Sequence, residues 1–277
     1  MTKILVTGAG GYIGSHVVRS LADRGADVLA LHRGNAQIDS RAREIVCDFS
    51  SLDVRKLVVD DGLSCVVHLA WSDGFSHDSP MHIDNLPFHV RFVRALADAG
   101  LRHFVGLGTM HEVGYWEGMI TEASPNAPRS LYGIAKNALR EAARLEIAKV
   151  SGVFQWLRAY YILGDDQRSK SLFSKIIGWE AEGKESFPFT MGLSKYDFIQ
   201  VHDLADQISR VALQTAVTGV IDCCSGEPIA LRDKVEQFIA DHGLTIRPQY
   251  GAFPDRAYDS PAVWGSREKI DRILSGT

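Results

Sequence analysis

The sequence has few of the features that mark secreted, metal-binding, membrane-spanning or nucleic-acid-binding proteins. Its 277 residues include only 4 Cys, none in a CxxC or Cys/His spacing, so neither disulfides nor a metal site is expected. No apolar run approaches the roughly 18 residues of a membrane span, and MTKILVTGAGGYIG lacks the pattern of a signal peptide. The 30 Lys and Arg are interspersed with 34 Asp and Glu, which offers no basic footprint for nucleic acid. We therefore predict a cytoplasmic protein without a membrane or nucleic-acid partner.

The four cysteines, Cys47, Cys65, Cys223 and Cys224, lie in short apolar runs, which indicates buried thiols in a reducing compartment. A chain of 277 residues can bury about 75% of its unfolded surface. With 45% hydrophobic residues, it needs no disulfide to hold a core together.

Short apolar runs alternate with helical patterns along the first 160 residues. Strands are predicted at 3–7, 27–31, 44–47, 65–70, 102–108 and 153–158, and helices at 12–24, 52–60, 81–99 and 131–150. Parallel strands need crossover helices, so this alternation predicts an α/β fold, a Rossmann-type doubly wound parallel sheet.

After Gly164 the pattern becomes less regular, which predicts a smaller C-terminal mixed α/β lobe. Strands are predicted at 196–201 and 219–224, and helices at 203–213 and 231–242. We assign residues 1–165, with about 196–226, to a nucleotide-binding domain. Residues 166–195 and 227–277 are assigned to a substrate-binding lobe.

Gly8, Gly11 and Gly14 form GxxGxxG directly after the first predicted strand. Tyr12 and Ile13 begin the helix that follows. Glycine at such a turn lets the backbone approach a pyrophosphate, and the helix N-terminus offers N–H groups and a positive dipole end to the phosphates. The context of strand, glycine loop and helix predicts a dinucleotide cofactor.

The second predicted strand ends in His32 and Arg33, where an NAD site usually has a carboxylate for the adenosine ribose. An arginine there can pair with a 2′-phosphate. We predict NADP(H) as the preferred cofactor, with NAD(H) as the alternative.

Tyr132 and Lys136 form YxxxK within a helical pattern, and a spacing of four places both on one helix face. An ammonium near a phenol stabilises the phenolate, so the tyrosine can exchange a proton with a substrate oxygen. This pair predicts an acid/base site.

Together, the glycine loop, VVHLAW (66–71), GLGT (106–109) and YGIAK (132–136) resemble the extended short-chain dehydrogenase/reductase family. The resemblance covers nearly the whole chain. It implies that Thr109 is the hydroxyl residue of a catalytic triad with Tyr132 and Lys136, and that Lys136 also binds the nicotinamide ribose. It further implies cofactor contacts by Asp48 and Phe49 at the adenine, by Leu69, Ala70 and Trp71 along the cofactor, and by Tyr160 and Ile162 at the nicotinamide. Plain core packing is the alternative for Leu69, Ala70 and Ile162.

Similar proteins are nucleotide-sugar epimerases, 4,6-dehydratases or 4-ketoreductases. Dehydratases have an Asp-Glu pair after the threonine, whereas this chain has Met110 and His111, so dehydration is disfavoured. Glu112 would face away from His111 on an extended chain. The motifs most resemble reductases of nucleotide-linked 4-keto-6-deoxyhexoses. The resemblance thus implies an NADPH-dependent 4-ketoreductase of deoxysugar biosynthesis in which Tyr132 protonates the new alkoxide. An epimerase and a non-catalytic NADP(H)-binding protein are the alternatives.

The substrate contacts are the least defined part of the resemblance. His111 is expected on the same face as Thr109, either contacting the sugar or acting as a second acid/base. The remaining substrate candidates are Trp71 and Tyr161, with Arg168, Lys195 and Arg267 for the diphosphate. Relatives commonly dimerise through two long helices, here 81–99 and 131–150, so a homodimer with a four-helix bundle is implied.

Overall fold

The computed structural model describes residues 2–164, 171–254 and 260–276. The strands of these ranges are β1 (Lys3–Thr7), β2 (Asp27–His32), β3 (Arg43–Val46), β4 (Cys65–His68), β5 (His103–Thr109), β6 (Gly118–Ile120), β7 (Val153–Ala159), β8 (Tyr161–Leu163), β9 (Ser186–Pro188), β10 (Lys195–Gln200), β11 (Gly219–Cys223), β12 (Pro228–Ala230), β13 (Arg247–Gln249) and β14 (Ala262–Gly265). The α-helices are α1 (Tyr12–Asp23), α2 (Met81–Asp98), α3 (Leu131–Ala148), α4 (Leu172–Ala181), α5 (Val201–Ala212), α6 (Leu231–Asp241) and α7 (Glu268–Ser275).

Seven strands form one parallel sheet in the order β3-β2-β1-β4-β5-β7-β11. The chain runs outward from β1 in one direction through β2 and β3, and then in the other direction through β4, β5 and β7. The order reverses between β1 and β4, and a crevice opens at the carboxyl ends of strands at such a point. The predicted Rossmann-type sheet is confirmed.

Helices cover both faces of this sheet, which is why its strands are apolar on both sides. On one face, α1, α5 and α7 pack on the sheet through buried residues that include Val17, Leu21, Leu204, Ile208 and Ile270. On the other face, α2 and α3 do so through Phe92, Val93, Leu96, Leu139 and Ala143. The two cores keep the carboxyl ends of the strands in place around the crevice.

A second, smaller sheet lies beyond the crevice. It has the order β12-β10-β14-β6, with β8 also paired to β10, and a separate parallel pair joins β9 and β13. The fully buried carboxylate of Asp197 on β10 accepts backbone N–H bonds from Ser225 (2.8 Å), Gly226 (2.9 Å) and Gly265 (3.1 Å). The sequence assigned residues 196–226 to the nucleotide-binding domain. In the structure, β10 of this stretch pairs in the small sheet and β11 pairs in the large one. The domain boundaries stay a prediction.

Most predicted elements match the observed ones, and one helix begins later than expected. Residues 52–60 were predicted as a helix, but Leu52 has extended backbone angles and the π-helical turn covers Lys56–Asp60. The cause is local, because the side chain of Asp53 accepts the backbone N–H of Lys56 at 3.0 Å and caps the turn.

The structure bears on what the sequence predicted for membrane spans, metal sites and cysteines. Within 2–164, 171–254 and 260–276, no helix has the length and hydropathy that a membrane crossing requires. The same ranges contain no cluster of three potential metal ligands. Cys65, Cys223 and Cys224 are buried free thiols as predicted, whereas Cys47 is half-buried at the edge of the crevice.

Candidate active site

The crevice is a cavity of about 1780 Å³ between the large sheet and the small lobe. The ends of β1, β2, β4 and β5 and the start of α3 line one wall. Side chains of the lobe line the other, among them Phe189, Thr190, Tyr196 and Leu231. Such a volume suits a dinucleotide together with a second ligand.

The glycine loop lines the cavity at the N-terminus of α1. Gly8 has φ +70°, and a Cβ there would lie 2.8 Å from the backbone nitrogen of Ala70. A Cβ on Gly14 would lie 2.1 Å from the carbonyl oxygen of Gly8. Tyr12 and Ile13 also line the cavity. Because the glycines leave the backbone accessible at this turn, the loop fits a pyrophosphate at the helix N-terminus.

The predicted adenosine residues lie beside the glycine loop. His32, Arg33, Asp48 and Phe49 all line the cavity, and Arg33 is exposed there. The side chain of His32 is nearly buried and contacts the Glu44 carboxylate at 2.9 Å. This carboxylate comes from β3 and was not considered from the sequence, because its approach depends on strand pairing. The end of β2 itself has no carboxylate.

The predicted triad residues meet at the end of β5. Thr109 is the last residue of β5 and is buried, and its side chain lies close enough to Tyr132 on α3 to act on the pKa of that residue. Lys136 lies one helical turn further and is also buried. The Ser130 hydroxyl caps α3 by accepting the backbone N–H of Gly133 at 3.2 Å. The helix start therefore places the tyrosine and the lysine at the cavity.

Lys136 is held by neighbours that the sequence pattern did not identify. Its ammonium donates to the carbonyl of Leu107 at 2.7 Å and lies 4.0 Å from the centroid of the Trp71 ring. The Trp71 indole N–H in turn donates to Nδ1 of His82 at 3.1 Å. Burial lowers the pKa of Lys136 to about 7, although the carboxylate of Glu112 acts in the opposite direction.

Burial raises the pKa of Tyr132, and the hydrogen bond with Thr109 only partly opposes this effect. The sequence predicted that Lys136 would lower it. In the structure the ammonium is turned toward Leu107 and Trp71, 5.9 Å from the centroid of the Tyr132 ring. The phenol is therefore protonated near neutral pH, which suits a proton donor.

The segment after Thr109 differs from the expectation of an extended strand end. Residues Met110–Glu112 form a 3₁₀ turn capped by Thr109, whose hydroxyl accepts the backbone N–H of His111 at 3.3 Å. His111 still lines the cavity. The fully buried Glu112 accepts bonds from the Thr109 N–H (2.8 Å) and the Trp156 indole (2.9 Å), and burial raises its pKa. Glu112 thus faces the protein interior because of its buried hydrogen bonds, and not because of the extended strand end that the sequence predicted.

Six of the other predicted contact residues lie at the cavity. Leu69, Ala70, Trp71, Tyr160, Tyr161 and Ile162 all line the cavity. The hydroxyl of Tyr160 is directed away from it, because it donates to Asp222 at 2.8 Å.

Two of the cations proposed for the diphosphate are not at the cavity. Lys195 is exposed at the start of β10, and the Arg267 guanidinium binds the Cys224 carbonyl (2.8 Å) and the Asp271 carboxylate (2.6 Å). Neither side chain lines the cavity, since pairing within the lobe determines where these side chains lie. Arg168 lies outside the described residues.

Arg129 is a cavity-lining cation that the sequence analysis missed. Its guanidinium lies 5.3 Å from the centroid of the Tyr115 ring, and the side chain is exposed to the cavity. The sequence held a signal for Arg129, because it directly precedes Ser130, the residue that caps α3, and the start of α3 lines the cavity. His77, in the loop before α2, was also missed and lies beside Tyr132.

Known proteins resemble this chain in sequence and fold. A model of the NAD dependent epimerase/dehydratase family matches residues 4–222. The dTDP-6-deoxy-L-talose 4-dehydrogenase (NAD(+)) of Aggregatibacter actinomycetemcomitans is 43% identical over 271 residues, covering 96% of this chain and 100% of the relative. The dTDP-6-deoxy-L-talose 4-dehydrogenase (NAD(P)(+)) of Kitasatospora kifunensis is 28% identical over 255 residues, covering 87% and 80%.

Among solved structures, MoeE5 in complex with UDP-glucuronic acid and NAD has a TM-score of 0.83 at 24% identity, covering 99% of this chain and 92% of MoeE5. This likeness concerns the fold alone. The resemblance predicted from the motifs is confirmed. The chain belongs to the NAD dependent epimerase/dehydratase family of extended short-chain dehydrogenases/reductases, and is an NAD(P)-dependent oxidoreductase.

Proposed function

We propose that the protein is a 4-ketoreductase that converts a dTDP-linked 4-keto-6-deoxyhexose to dTDP-6-deoxy-L-talose, with Tyr132 as the proton donor. The observation that carries the proposal is that Thr109, Tyr132 and Lys136 line the cavity together, with Lys136 one helical turn after Tyr132. The 43% identity to a dTDP-6-deoxy-L-talose 4-dehydrogenase supports the choice of nucleotide and sugar.

The chemistry follows from the protonation states of the side chains. The bound nicotinamide supplies the hydride that reduces the C4 ketone. The Thr109 hydroxyl, next to Tyr132, donates a hydrogen bond to the C4 oxygen and polarises the carbonyl. As negative charge develops on that oxygen, the Tyr132 O–H transfers its proton to it. Lys136, whose ammonium is turned toward Leu107 and Trp71, is proposed to bind the nicotinamide ribose.

The position of Glu112 argues against a dehydratase. Elimination of water from a sugar needs an acid and a base that reach the substrate. The only carboxylate in the turn Met110–Glu112 is bound to Trp156 and to the Thr109 backbone, inside the protein. Met110 and His111, which line the cavity, bring no carboxylate to it.

The cofactor preference is proposed to be NADPH over NADH, because Arg33 lies at the cavity beyond the end of β2. The name of the 43% identical relative gives NAD(+) and favours the alternative. We expect Arg33→Ala to raise the Kd of NADPH at least about tenfold, since one charge-assisted phosphate contact is lost, and to leave the Kd of NADH nearly unchanged. Titration of nicotinamide fluorescence measures both constants.

Arg43→Ala is the matched control, because Arg43 is an exposed arginine of β3 that does not line the cavity. It should leave both constants unchanged. Equal or tighter binding of NADH by the wild type, with no selective effect of Arg33→Ala, would contradict the NADPH preference.

A homodimer through α2 and α3 is also proposed. Ile134, Ala138 and Leu145 share one exposed face of α3, and Leu145 is 56% exposed. Ile83 on α2 is 40% exposed. We expect sedimentation to give a dimer at micromolar concentration and Leu145→Glu to give a monomer. A wild-type monomer would contradict the proposal.

The proposed reaction is tested by following NADPH and NADH oxidation with dTDP-4-keto-6-deoxyhexoses, and with UDP-glucose as the control substrate. We expect oxidation that requires the keto-sugar and that Tyr132→Phe abolishes. Interconversion of UDP-glucose without net cofactor oxidation would instead indicate an epimerase. Cofactor binding without turnover of any of these sugars would indicate a non-catalytic protein.

A further inference from the structure

Two neighbouring histidines lie beside Tyr132 at the cavity. The ring of His77 is stacked on the ring of Tyr132, with centroids 5.3 Å apart and an interplanar angle of 14°. The His111 ring lies 4.3 Å from that of His77 and 6.2 Å from that of Tyr132. Both histidines line the cavity. We call His77 and His111 the imidazole pair.

The main chain holds the loop that carries His77. The backbone N–H of Tyr132 donates to the carbonyl of His77 at 2.9 Å. His82, on the first turn of α2, is hydrogen-bonded to the carbonyl of Ser76 at 2.9 Å through Nε2. On the other side, the 3₁₀ turn that Thr109 caps fixes His111. The imidazole pair is thus positioned by backbone contacts rather than by its own ring nitrogens.

Among the residues that the structure describes, the ring nitrogens of the imidazole pair have no hydrogen-bond partner. Other histidines do bond through their rings: His32 to Glu44, His68 to Thr7 and His89, His82 to Trp71 and Ser76, His103 to Gln155, and His242 to Phe238. Because both side chains line the cavity, their ring nitrogens are available to bond a ligand there.

The protonation state of the imidazole pair defines the chemistry of that ligand. Burial lowers the pKa of His77, and it lowers the pKa of His111 to about 3. Both rings are neutral near pH 7, so each has one N–H donor and one acceptor nitrogen. A neutral hydroxyl, which donates and accepts, matches this pattern. So weak a base as His111 is unsuited to removing a proton from carbon, and its predicted role as a second acid/base is disfavoured.

We propose that the imidazole pair binds the C3 hydroxyl of the sugar and makes the enzyme selective for substrates that have it. This inference rests on the proposed ketone reduction at C4 beside Tyr132. The carbons next to C4 of a 4-keto-6-deoxyhexose are C3, which bears a hydroxyl, and C5, which bears a methyl group and the ring oxygen. The C3 hydroxyl is thus the one adjacent to the reacting carbon.

The test compares kcat/KM for a dTDP-4-keto-6-deoxyhexose and its 3-deoxy counterpart. We expect the wild type to prefer the hydroxylated sugar by at least about tenfold, since a site built around a hydroxyl rejects the analogue without it. His77→Phe and His111→Phe keep an aromatic ring against Tyr132 and remove the nitrogens. Each should reduce the preference several-fold, mainly through a higher KM of the hydroxylated sugar, and the double variant should bring the ratio near one.

His202→Phe is the matched control, because His202 is an exposed histidine outside the cavity, and it should keep the wild-type ratio. Circular dichroism and cofactor binding check the fold of each variant. If His111→Phe does not fold, the sugar preference of His77→Phe alone decides the test. A wild type without preference, or histidine variants that keep the wild-type ratio, would overturn the proposal.

A binding measurement separates this inference from the proposed function. The cofactor-bound Tyr132→Phe variant is titrated with dTDP-6-deoxy-L-talose and with its 3-deoxy counterpart, in the presence and absence of the two histidine substitutions. If the variant binds the hydroxylated sugar more tightly and the histidine substitutions remove this preference, the C3 site is supported even if the wild type reduces no ketone. No difference between the two sugars in binding refutes the site whatever the turnover.

Discussion

Tyr132→Phe is expected to lower kcat for reduction of the 4-keto-sugar by about 10³-fold, within the range for loss of a positioned proton donor. The ring of Tyr132 contacts the rings of His77 and Trp71, and phenylalanine keeps these contacts. The fold and the Kd of the cofactor should therefore change little. Initial rates of cofactor oxidation at saturating sugar measure the loss, and nicotinamide fluorescence checks cofactor binding.

Tyr115→Phe is the matched control for this substitution. Tyr115 is another phenol that lines the cavity, and its hydroxyl donates to the carboxylate of Glu117. Its loss should alter kcat by less than about threefold, since no reacting oxygen depends on it. Thr109→Val should also depress kcat strongly. Wild-type turnover by Tyr132→Phe would refute the assignment of the proton donor.

Lys136→Met is expected to reduce turnover more than about tenfold and, at the same time, to stabilise the protein without cofactor. The ammonium is buried, with the Leu107 carbonyl and the Trp71 ring as its partners. Replacing a buried charge by an apolar side chain of similar length often raises the free energy of unfolding by about 1–4 kcal/mol. We expect a Tm higher by several degrees at pH 7 for Lys136→Met.

The stabilisation by Lys136→Met should be largest at low pH and should decrease as the pH rises. The pKa of Lys136 is about 7 in the folded protein and near 10.5 in the unfolded chain. Below pH 7 both states hold the proton, so burial of the ammonium destabilises the wild type in full. Between pH 7 and pH 10.5 the folded protein has released a proton that the unfolded chain keeps, so the stability of the wild type rises with pH.

Thermal unfolding of both proteins from pH 6 to pH 10 measures this effect. The difference in Tm should be largest at or below pH 7 and should disappear toward pH 10. Lys149→Met, at the exposed end of the same helix, is the control and should change stability by less than about 1 kcal/mol. A variant less stable than the wild type at every pH would show that the cation–π contact outweighs the burial of the charge.

The parts of the site that depend on short sequence intervals could be predicted. Gly8 is favoured by its positive φ and Gly14 by a contact within the same turn, and Tyr132 and Lys136 share a face because helical spacing demands it. The alternation of apolar runs likewise predicted the large sheet. Its strands are buried on both faces, which leaves a strong pattern in the residues.

Contacts that join distant parts of the chain could not be predicted in this way. The approach of Lys136 to Trp71 depends on how α3 packs beside the end of β4. Arg267 was assigned to the diphosphate from its charge, but pairing of the small lobe turns it toward Cys224. The turn at Met110–Glu112 is closed locally by a capping box in which Glu112 accepts the Thr109 N–H. Its second bond, to the Trp156 indole on β7, is a contact that no local pattern indicates.

The most direct measurement of the central claim follows deuterium from the cofactor to the sugar. NADPH carrying deuterium at the transferred position of the nicotinamide, and NADH labelled likewise, are incubated with a dTDP-4-keto-6-deoxyhexose, and the product is analysed by mass spectrometry and proton NMR. The account predicts one deuterium at C4 of a dTDP-6-deoxyhexose, formed in equal amount to the oxidised cofactor, and none with Tyr132→Phe. An altered sugar without deuterium at C4 and without net cofactor oxidation would contradict it.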